Sequence, residues 1–185
     1  MRRVSKNSRV SAKAIRATAL AFFVLAAFAL DAEPSRADFE AGVRAYEAGE
    51  YQIALEEWRR LAAEEEPRAL FNLGQMYRLG IGVQKDLGMA EQYYQRAAQQ
   101  GHVGAHANLG SIYFSQDPPK EFVALYHWRI AARGGDPRAQ YLLGVNYFNG
   151  DYLPLNYKQA YAWVSMAADA GLKDAEEAKQ FIKGY

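Results

Sequence analysis

The chain has 185 residues, half of them apolar, with 22 Lys/Arg against 21 Asp/Glu and no cysteine. That length supports one domain with a sizeable core, and the missing cysteine excludes disulfides, a thiolate nucleophile, a Cys-based zinc site and a lipoprotein-type acylated cysteine. The net charge of +1 averages two unlike parts: residues 1–37 carry seven Lys/Arg against two Asp/Glu, and 38–185 carry fifteen against nineteen with no basic stripe, so nucleic acid is not an expected partner.

Arg2, Arg3, Lys6, Arg9, Lys13 and Arg16 precede an uncharged apolar run, Ala19–Leu30, and a polar segment ending Ser35-Arg36-Ala37. This is the layout of a secretory signal peptide cleaved after Ala37. Twelve helical residues span roughly 18 Å, short of the ~30 Å hydrocarbon core, so cleavage is expected rather than an uncleaved anchor. Arg2-Arg3 lacks the sequel of a twin-arginine signal, which points to general secretion. The expected location is therefore periplasmic or secreted, with no membrane span after cleavage.

Residues 38–66 read as a helix pair with a turn at Gly49-Glu50; Tyr51, Leu55, Trp58 and Ala62 share one face of the second helix. Glu64-Glu65-Glu66 ahead of Pro67 reads as a solvated helix end rather than a cation site.

From Ala69 onward the chain repeats itself. Leu73-Gly74 returns as Leu109-Gly110 and Leu143-Gly144, at steps of 36 and 34 residues. Tyr77 returns as Tyr113 and Tyr147, and Ala97-Ala98 as Ala131-Ala132 and Ala167-Ala168, each pair followed by a glycine at Gly101, Gly135 and Gly171. A period of this size indicates a stacked helical array. Three helix–loop–helix units follow, at 67–101, 102–135 and 136–171, with helices near 67–79 and 86–100, 103–115 and 120–133, and 137–149 and 156–170. Pro67 and Pro137 suit first helical positions, and Gly101, Gly134-Gly135 and Gly171 suit left-handed caps. A last helix near Asp174–Lys183, within 172–185, is expected to cap the stack. The fold class is all-α: a right-handed α/α superhelical solenoid.

Gly74, Gly110 and Gly144 each cost about 1 kcal/mol of helix propensity. Their recurrence implies close helix approach, with the alanine pairs as the matching small residues on the second helix. Tyr77, Tyr113, Tyr147 and Trp163 are expected to fill the space between helices.

The pattern Ala69-x-x-x-Leu73-Gly74-x-x-Tyr77-x-x-Gly80-x-Gly82-Val83-x-x-Asp86, then Ala90-x-x-Tyr93-x-x-x-Ala97-Ala98-x-x-Gly101, resembles the Sel-one-like repeat, a longer-looped relative of the tetratricopeptide repeat. Gly42–Leu61 is more similar to a plain tetratricopeptide unit. The second repeat departs from the pattern with Ser115-Gln116-Asp117-Pro118-Pro119 in its loop and His127 at the usual aromatic position; the third has Tyr152 and Asn156 for the second glycine and the aspartate. These changes bear on loop geometry. The resemblance implies a scaffold that binds other proteins, and similarity to exported bacterial members implies a periplasmic regulator, an envelope-assembly factor or a host-contact protein. A cysteine-rich branch associated with β-lactam binding does not fit a cysteine-free chain.

Catalysis finds no constellation: there is no Gly-x-Ser-x-Gly elbow, and Glu56-Glu57 and Glu176-Glu177 are adjacent on helices and diverge. His102 and His106 are four apart, a spacing that can hold a metal, but no acidic third ligand is placed to join them and His127 falls at a packing position. Neither a metal nor a cofactor is expected, and a surface or capping role fits His102 and His106. Binding is the better expectation. In a stacked array the first helix of each pair lines the concave face. Its non-core positions are Arg68, Phe71, Gln75 and Arg78, then Asn108, Ser111 and Phe114, then Arg138, Tyr141, Val145 and Phe148. Aromatics beside arginines resemble interface hot spots, and the arginines suit a partner peptide bearing a carboxylate. The alternative for Phe71, Tyr141 and Phe148 is packing between repeats. A structural or assembly role, bridging two envelope components, is the second functional reading.

Overall fold

A computed structural model describes residues 36–185; the expected signal segment lies outside these but for Arg36 and Ala37. Among the described residues there are nine helices and no strand: α1 (Arg36–Glu47), α2 (Tyr51–Ala63), α3 (Pro67–Leu79), α4 (Leu87–Gln99), α5 (Val103–Phe114), α6 (Glu121–Arg133), α7 (Pro137–Asn149), α8 (Tyr157–Asp169) and α9 (Lys173–Ile182). Each helix packs chiefly on its neighbours in sequence, most closely within the pairs α3–α4, α5–α6 and α7–α8. The molecule is an all-α superhelical solenoid. None of the described helices is long and apolar enough to cross a membrane. Because α1 starts at Arg36, a cut after Ala37 would remove its first two residues.

Helix starts follow from side chains that satisfy free amide groups. Glu66, His102 and Asp136 cap α3, α5 and α7 by accepting from the amides of Ala69, Ala105 and Ala139. Asp86 and Asn156 do the same for α4 and α8, accepting from Met89 and Gln159 at 2.9 and 3.0 Å. Asparagine thus replaces the aspartate of the pattern without loss of the cap. Lys120, at the corresponding place before α6, makes no side-chain cap.

The three inter-helix loops close alike despite their different lengths. The residue before the second helix donates its amide to the carbonyl of the repeated tyrosine: Asp86 to Tyr77 at 2.9 Å, Lys120 to Tyr113 at 3.0 Å and Asn156 to Tyr147 at 2.8 Å. The shorter second loop therefore delivers α6 to the same place. In the first loop Gly82 has φ +69°, and a Cβ there would sit 2.6 Å from Cβ of Tyr51. That approach lets Gln52 Nε2 donate to the Gly82 carbonyl at 2.7 Å and ties the loop to α2.

The mid-helix glycines do not face the alanine pairs. They face the residue three positions before each pair. A Cβ on Gly74 would lie 2.6 Å from Cε1 of Tyr94, one on Gly110 would lie under 3.0 Å from the Trp128 ring, and one on Gly144 would meet Val164 and the Ala160 carbonyl. Gly42 repeats the arrangement in the first pair, where its Cβ would lie 2.7 Å from Cδ1 of Trp58. Each glycine is a socket for one large side chain, and the alanines Ala97, Ala131 and Ala167 are fully buried beside these in the core. Trp163 is only partly buried; its neighbour Val164 takes the socket. The core is one continuous cluster from Phe39 to Leu143 and a second, smaller one from Ala160 to Ile182 that includes the inner face of α9.

The socket geometry makes two predictions. Gly110→Ala should destabilise the protein by about 1–3 kcal/mol in urea titration through overpacking, although alanine is the better helix former. The double variant with Trp128→Leu should cost less than the sum of the singles, and a stabilised Gly110→Ala protein would refute the socket. Trp128→Ala should cost roughly 3–5 kcal/mol, and Trp163→Ala clearly less; equal losses would contradict their different burial.

Candidate functional site

The first helices of the pairs carry two adjoining clefts that share Leu79. One, of about 300 Å³, lies between α1 and α3 and is lined by Val43, Tyr46, Glu47, Trp58, Phe71, Asn72, Gln75 and Leu79. The other, of about 340 Å³, crosses three repeats and is lined by Arg78, Leu79, Lys85, Leu87, Asn108, Ser111, Ile112, Ser115 and Arg138. Three cations converge on the second cleft, and none of its lining residues is acidic.

Local structure explains which arginines are presented. Arg68 sits beside the α3 cap: its Nε donates to Glu66 Oε1 at 2.6 Å while Glu66 Oε2 accepts from Ala69. The Arg68 guanidinium also lies 4.2 Å from the Phe39 ring centroid. It clamps the α3 cap and lines neither cleft. Arg138 holds the equivalent place in the third repeat, but its cap is Asp136, whose shorter side chain accepts from Ala139. No ion pair of Arg138, Arg78 or Lys85 forms among the described residues. Gln75 Oε1 accepts from Arg78 Nε at 3.0 Å and from the Tyr94 hydroxyl, so the socket residue of the first repeat also orients Arg78. Burial pushes the Tyr94 phenol up to about 12, against the opposing effect of Arg78. Asn108 and Ser111 donate to the Gly104 and Ala107 carbonyls, which fixes them on the cleft wall.

Of the residues expected on this face, Arg78, Asn108, Ser111 and Arg138 meet in the basic cleft, and Phe71 and Gln75 line the neighbouring one. The others lie elsewhere. Phe114 packs on Trp128 and Tyr152, at 5.3 and 6.1 Å between ring centroids. Tyr141 packs against the second core cluster, and Phe148 joins Tyr157, Phe181 and Tyr185 in an aromatic group at the C-terminal end. Val145 is half-buried and lines neither cleft. Even Phe71 does double service, stacked 4.4 Å from His102 and tilted 5.7 Å from Tyr94. The helical register alone missed Lys85, which reaches the basic cleft from the Gly80–Asp86 loop, and Leu87 at the start of α4.

The histidines divide differently from their spacing. His102 is the cap of α5, accepting from Ala105 through Nδ1 at 3.2 Å, so it precedes the helical face that carries His106. His106 instead meets His127 across α5 and α6, with the two Nδ1 atoms 2.8 Å apart and ring centroids 5.1 Å apart. Burial lowers the pKa of all three. His127 falls to about 4, through burial first and the facing His106 second, while a hydrogen bond to the Ala98 backbone works against the lowering at His106. The pair lines a separate cavity of about 340 Å³, between α4, α5 and α6. Among the described residues no three His, Cys, Asp or Glu side chains converge as metal ligands.

The Sel1 repeat model matches residues 67–102, 103–136 and 137–172, more than half of the chain. The chain is similar to protein NMB1327 of Neisseria meningitidis serogroup B, at 32% identity over 111 residues that cover 60% of this chain and 23% of that one. It is also similar to chitin synthase regulatory factor 2 of Schizosaccharomyces pombe, at 32% identity over 124 residues covering 59% and 23%. The chain thus spans about a quarter of the length of these two relatives. A crystal structure of a Sel1 repeat protein from Oxalobacter formigenes superposes with a TM-score of 0.68 at 30% identity, covering 75% of this chain and 58% of that one. The structure of c5321, a protective antigen of uropathogenic Escherichia coli, gives a TM-score of 0.64 at 27% identity, covering 70% and 28%. Sel1 repeats are in general protein-interaction scaffolds. By its three matched repeats, and by the stacked helix pairs they build, this chain belongs to the Sel1 repeat family.

Proposed function

We propose that this protein is an exported adaptor that binds a segment of a partner protein in the groove formed by α1, α3, α5 and α7. The observation that carries the reading is the convergence of Arg78, Lys85 and Arg138, from three repeats, on one cleft lined by no acid. An extended segment would place a carboxylate there, either an acidic side chain or a chain terminus. Guanidinium groups bind carboxylates through paired hydrogen bonds, and the flanking Asn108 and Ser111 add polar contacts. An apolar side chain of the same segment would enter the cleft beside Phe71 and Tyr46. Aromatic anchors next to arginines are the composition that concentrates binding energy at interfaces.

A regulatory adaptor acts by holding its target, with no chemistry of its own. A chitin synthase regulatory factor among the relatives is in keeping with that role. Export rests on residues 1–37: a basic start, a twelve-residue apolar run and small residues at the expected cut. The periplasm is the compartment this implies, and the partner would be an envelope or periplasmic protein. The second reading, an assembly factor bridging two envelope components, differs in predicting two partners held at once.

Affinity capture from an envelope fraction separates these readings from their alternatives. Bait carrying Arg78→Glu and Arg138→Glu should lose the partner that wild-type bait captures, while Arg68→Glu bait, altered at the clamp, should keep it provided its helicity is unchanged. Loss with all three, or with none, would remove the basic cleft as the site. Expression in a bacterial host should yield a periplasmic protein whose first residue is Asp38 by intact mass. An uncleaved, cytoplasmic chain would end the export reading.

A further inference from the structure

Repeat proteins offer a control within the molecule: equivalent residues occupy corresponding places in successive units, so a departure at one unit asks for a reason of its own. His106 is equivalent to Leu70 and Gln140, and His127 to Tyr93 and Trp163. The fold fills these places with a leucine and a tyrosine in one repeat, and with a glutamine and a tryptophan in another, so packing there does not call for an imidazole. The second repeat has histidine at both, and their Nδ1 atoms meet at 2.8 Å. A contact of that kind is an N–H···N hydrogen bond: one Nδ1 carries the proton and the other offers its lone pair. Its capacity for further protons is limited. A first can go to Nε2 of the donating ring and leave the bond in place. A second must go to the accepting Nδ1, and two N–H groups on two charged rings then point at each other.

The surroundings do not compensate those charges. His106 is buried and His127 half-buried, and the cavity of about 340 Å³ beside them has no acid in its wall. On α4, Glu91 accepts from Gln95 at 3.0 Å and acts on the Tyr113 phenol, while Arg96 is paired with Glu65. On α5, His102 is taken up by the helix cap, and Tyr113 stacks on His127 at 5.5 Å between ring centroids. The Lys120 ammonium lies 5.6 Å from the Tyr113 ring centroid. On α6, Tyr126 stands edge-on to His127 at 5.2 Å; Glu121 and Arg133 sit at the two ends of the helix, and Arg129 is exposed. The one charged residue of α7, Arg138, lines the basic cleft. Among the described residues neither imidazole pairs with a carboxylate.

We propose that the contact between His106 and His127 is an acid-sensitive clip: it holds α5 and α6 together while the rings share one proton, and lets the two helices part once both are charged. The first and third repeats have no ionisable pair in these places, so acid acts on one unit of the stack. The sign follows from burial. Both imidazoles are held below the ordinary value of about 6.5, His127 at about 4 by burial first and the facing His106 second. Below the ordinary value the parted form therefore binds more protons than the clipped one, and falling pH favours it. Each proton taken up on parting shifts the equilibrium about 10-fold per pH unit. The clip is fully present above the ordinary value and is lost as pH falls from there toward the value of His127. It uses none of the residues that line the basic cleft, so clip and groove stand or fall separately.

The test compares the purified full-length chain with the double variant His106→Leu, His127→Tyr, which installs the residues of the first repeat. In urea titrations the unfolding constant of the wild type, relative to the variant, should rise by at least about 10-fold between about pH 7 and about pH 5. His102 is present in both chains and cancels in the comparison. Hydrogen exchange over the same range should show α5 and α6 losing protection ahead of the other repeat helices in the wild type, and not in the variant. Should that variant not fold, His106→Gln with His127→Trp, the residues of the third repeat, takes its place. Nitrogen-15 spectra of the wild-type rings decide without either variant: they should show coupling between the two Nδ1 atoms at about pH 7.5 that weakens in acid, with both rings titrating below the ordinary histidine value. Parallel pH profiles of wild type and variant, or rings that titrate at the ordinary value, overturn the proposal.

Discussion

The contact on which the rest of the molecule depends is a side chain seated on a helical glycine. Trp58 on Gly42, Tyr94 on Gly74, Trp128 on Gly110 and Val164 on Gly144 set the distance between the helices of each pair. Removing the Cβ forgoes about 1 kcal/mol of helix propensity at each site. In return a large buried surface is gained without splaying the helices, and burying a side chain of this size contributes roughly 1.5–3 kcal/mol. Two of the seats even tolerate an indole N–H with no partner, at Trp58 and Trp128. An unsatisfied buried donor costs about 1–3 kcal/mol, so its retention shows how strongly shape governs these contacts. Val164 fills its socket with less volume, and it is there that the core divides into two clusters.

From that spacing the loops and the basic cleft follow. Once the two helices of a pair are locked, the chain between them must return to the same point. The shared amide-to-tyrosine-carbonyl bond does this whether the loop is long or two residues shorter. The Gly-x-Gly loop of the first repeat is then free to fold back on α2, and it swings Lys85 toward Arg78. A cleft lined from three repeats follows from the stacking of each pair on the next.

Periodicity made the architecture legible. Leu-Gly, Tyr and Ala-Ala recurring at 34–36 residues located every helix of the three repeats to within a residue or so, because those residues are the core and the core has the period of the fold. The partner of each glycine was less legible. Small residues on both helices suggested small meeting small, whereas the structure puts a Trp, Tyr or Val side chain in each hole. Three-residue offsets of that kind turn on the relative rotation of two helices, which no single helix pattern specifies. The same limit misplaced Trp163, whose neighbour Val164 faces inward. At the candidate site, register found Arg78, Asn108, Ser111 and Arg138. It could not tell clamped Arg68 from unpaired Arg138, a difference that comes down to one methylene in the cap residue: Glu66 reaches both the helix amide and the arginine, and Asp136 caps the amide alone.

The two sides of the stack also differ in what they do with charge. On the side of the first helices, cations are left at the mouth of a cleft, where a carboxylate partner would be drawn in and only partly desolvated; such contacts tune specificity and association rate more than raw affinity. Between α4, α5 and α6, by contrast, burial keeps the histidine pair neutral, with His127 lowered to about 4. Neutral imidazoles neither repel one another nor demand an anion, and one proton between the two Nδ1 atoms joins them. One repeat frame thereby carries a basic cleft and an uncharged imidazole pair. The separation is physical: the histidine pair lines a different cavity from the one that Arg78, Lys85 and Arg138 line.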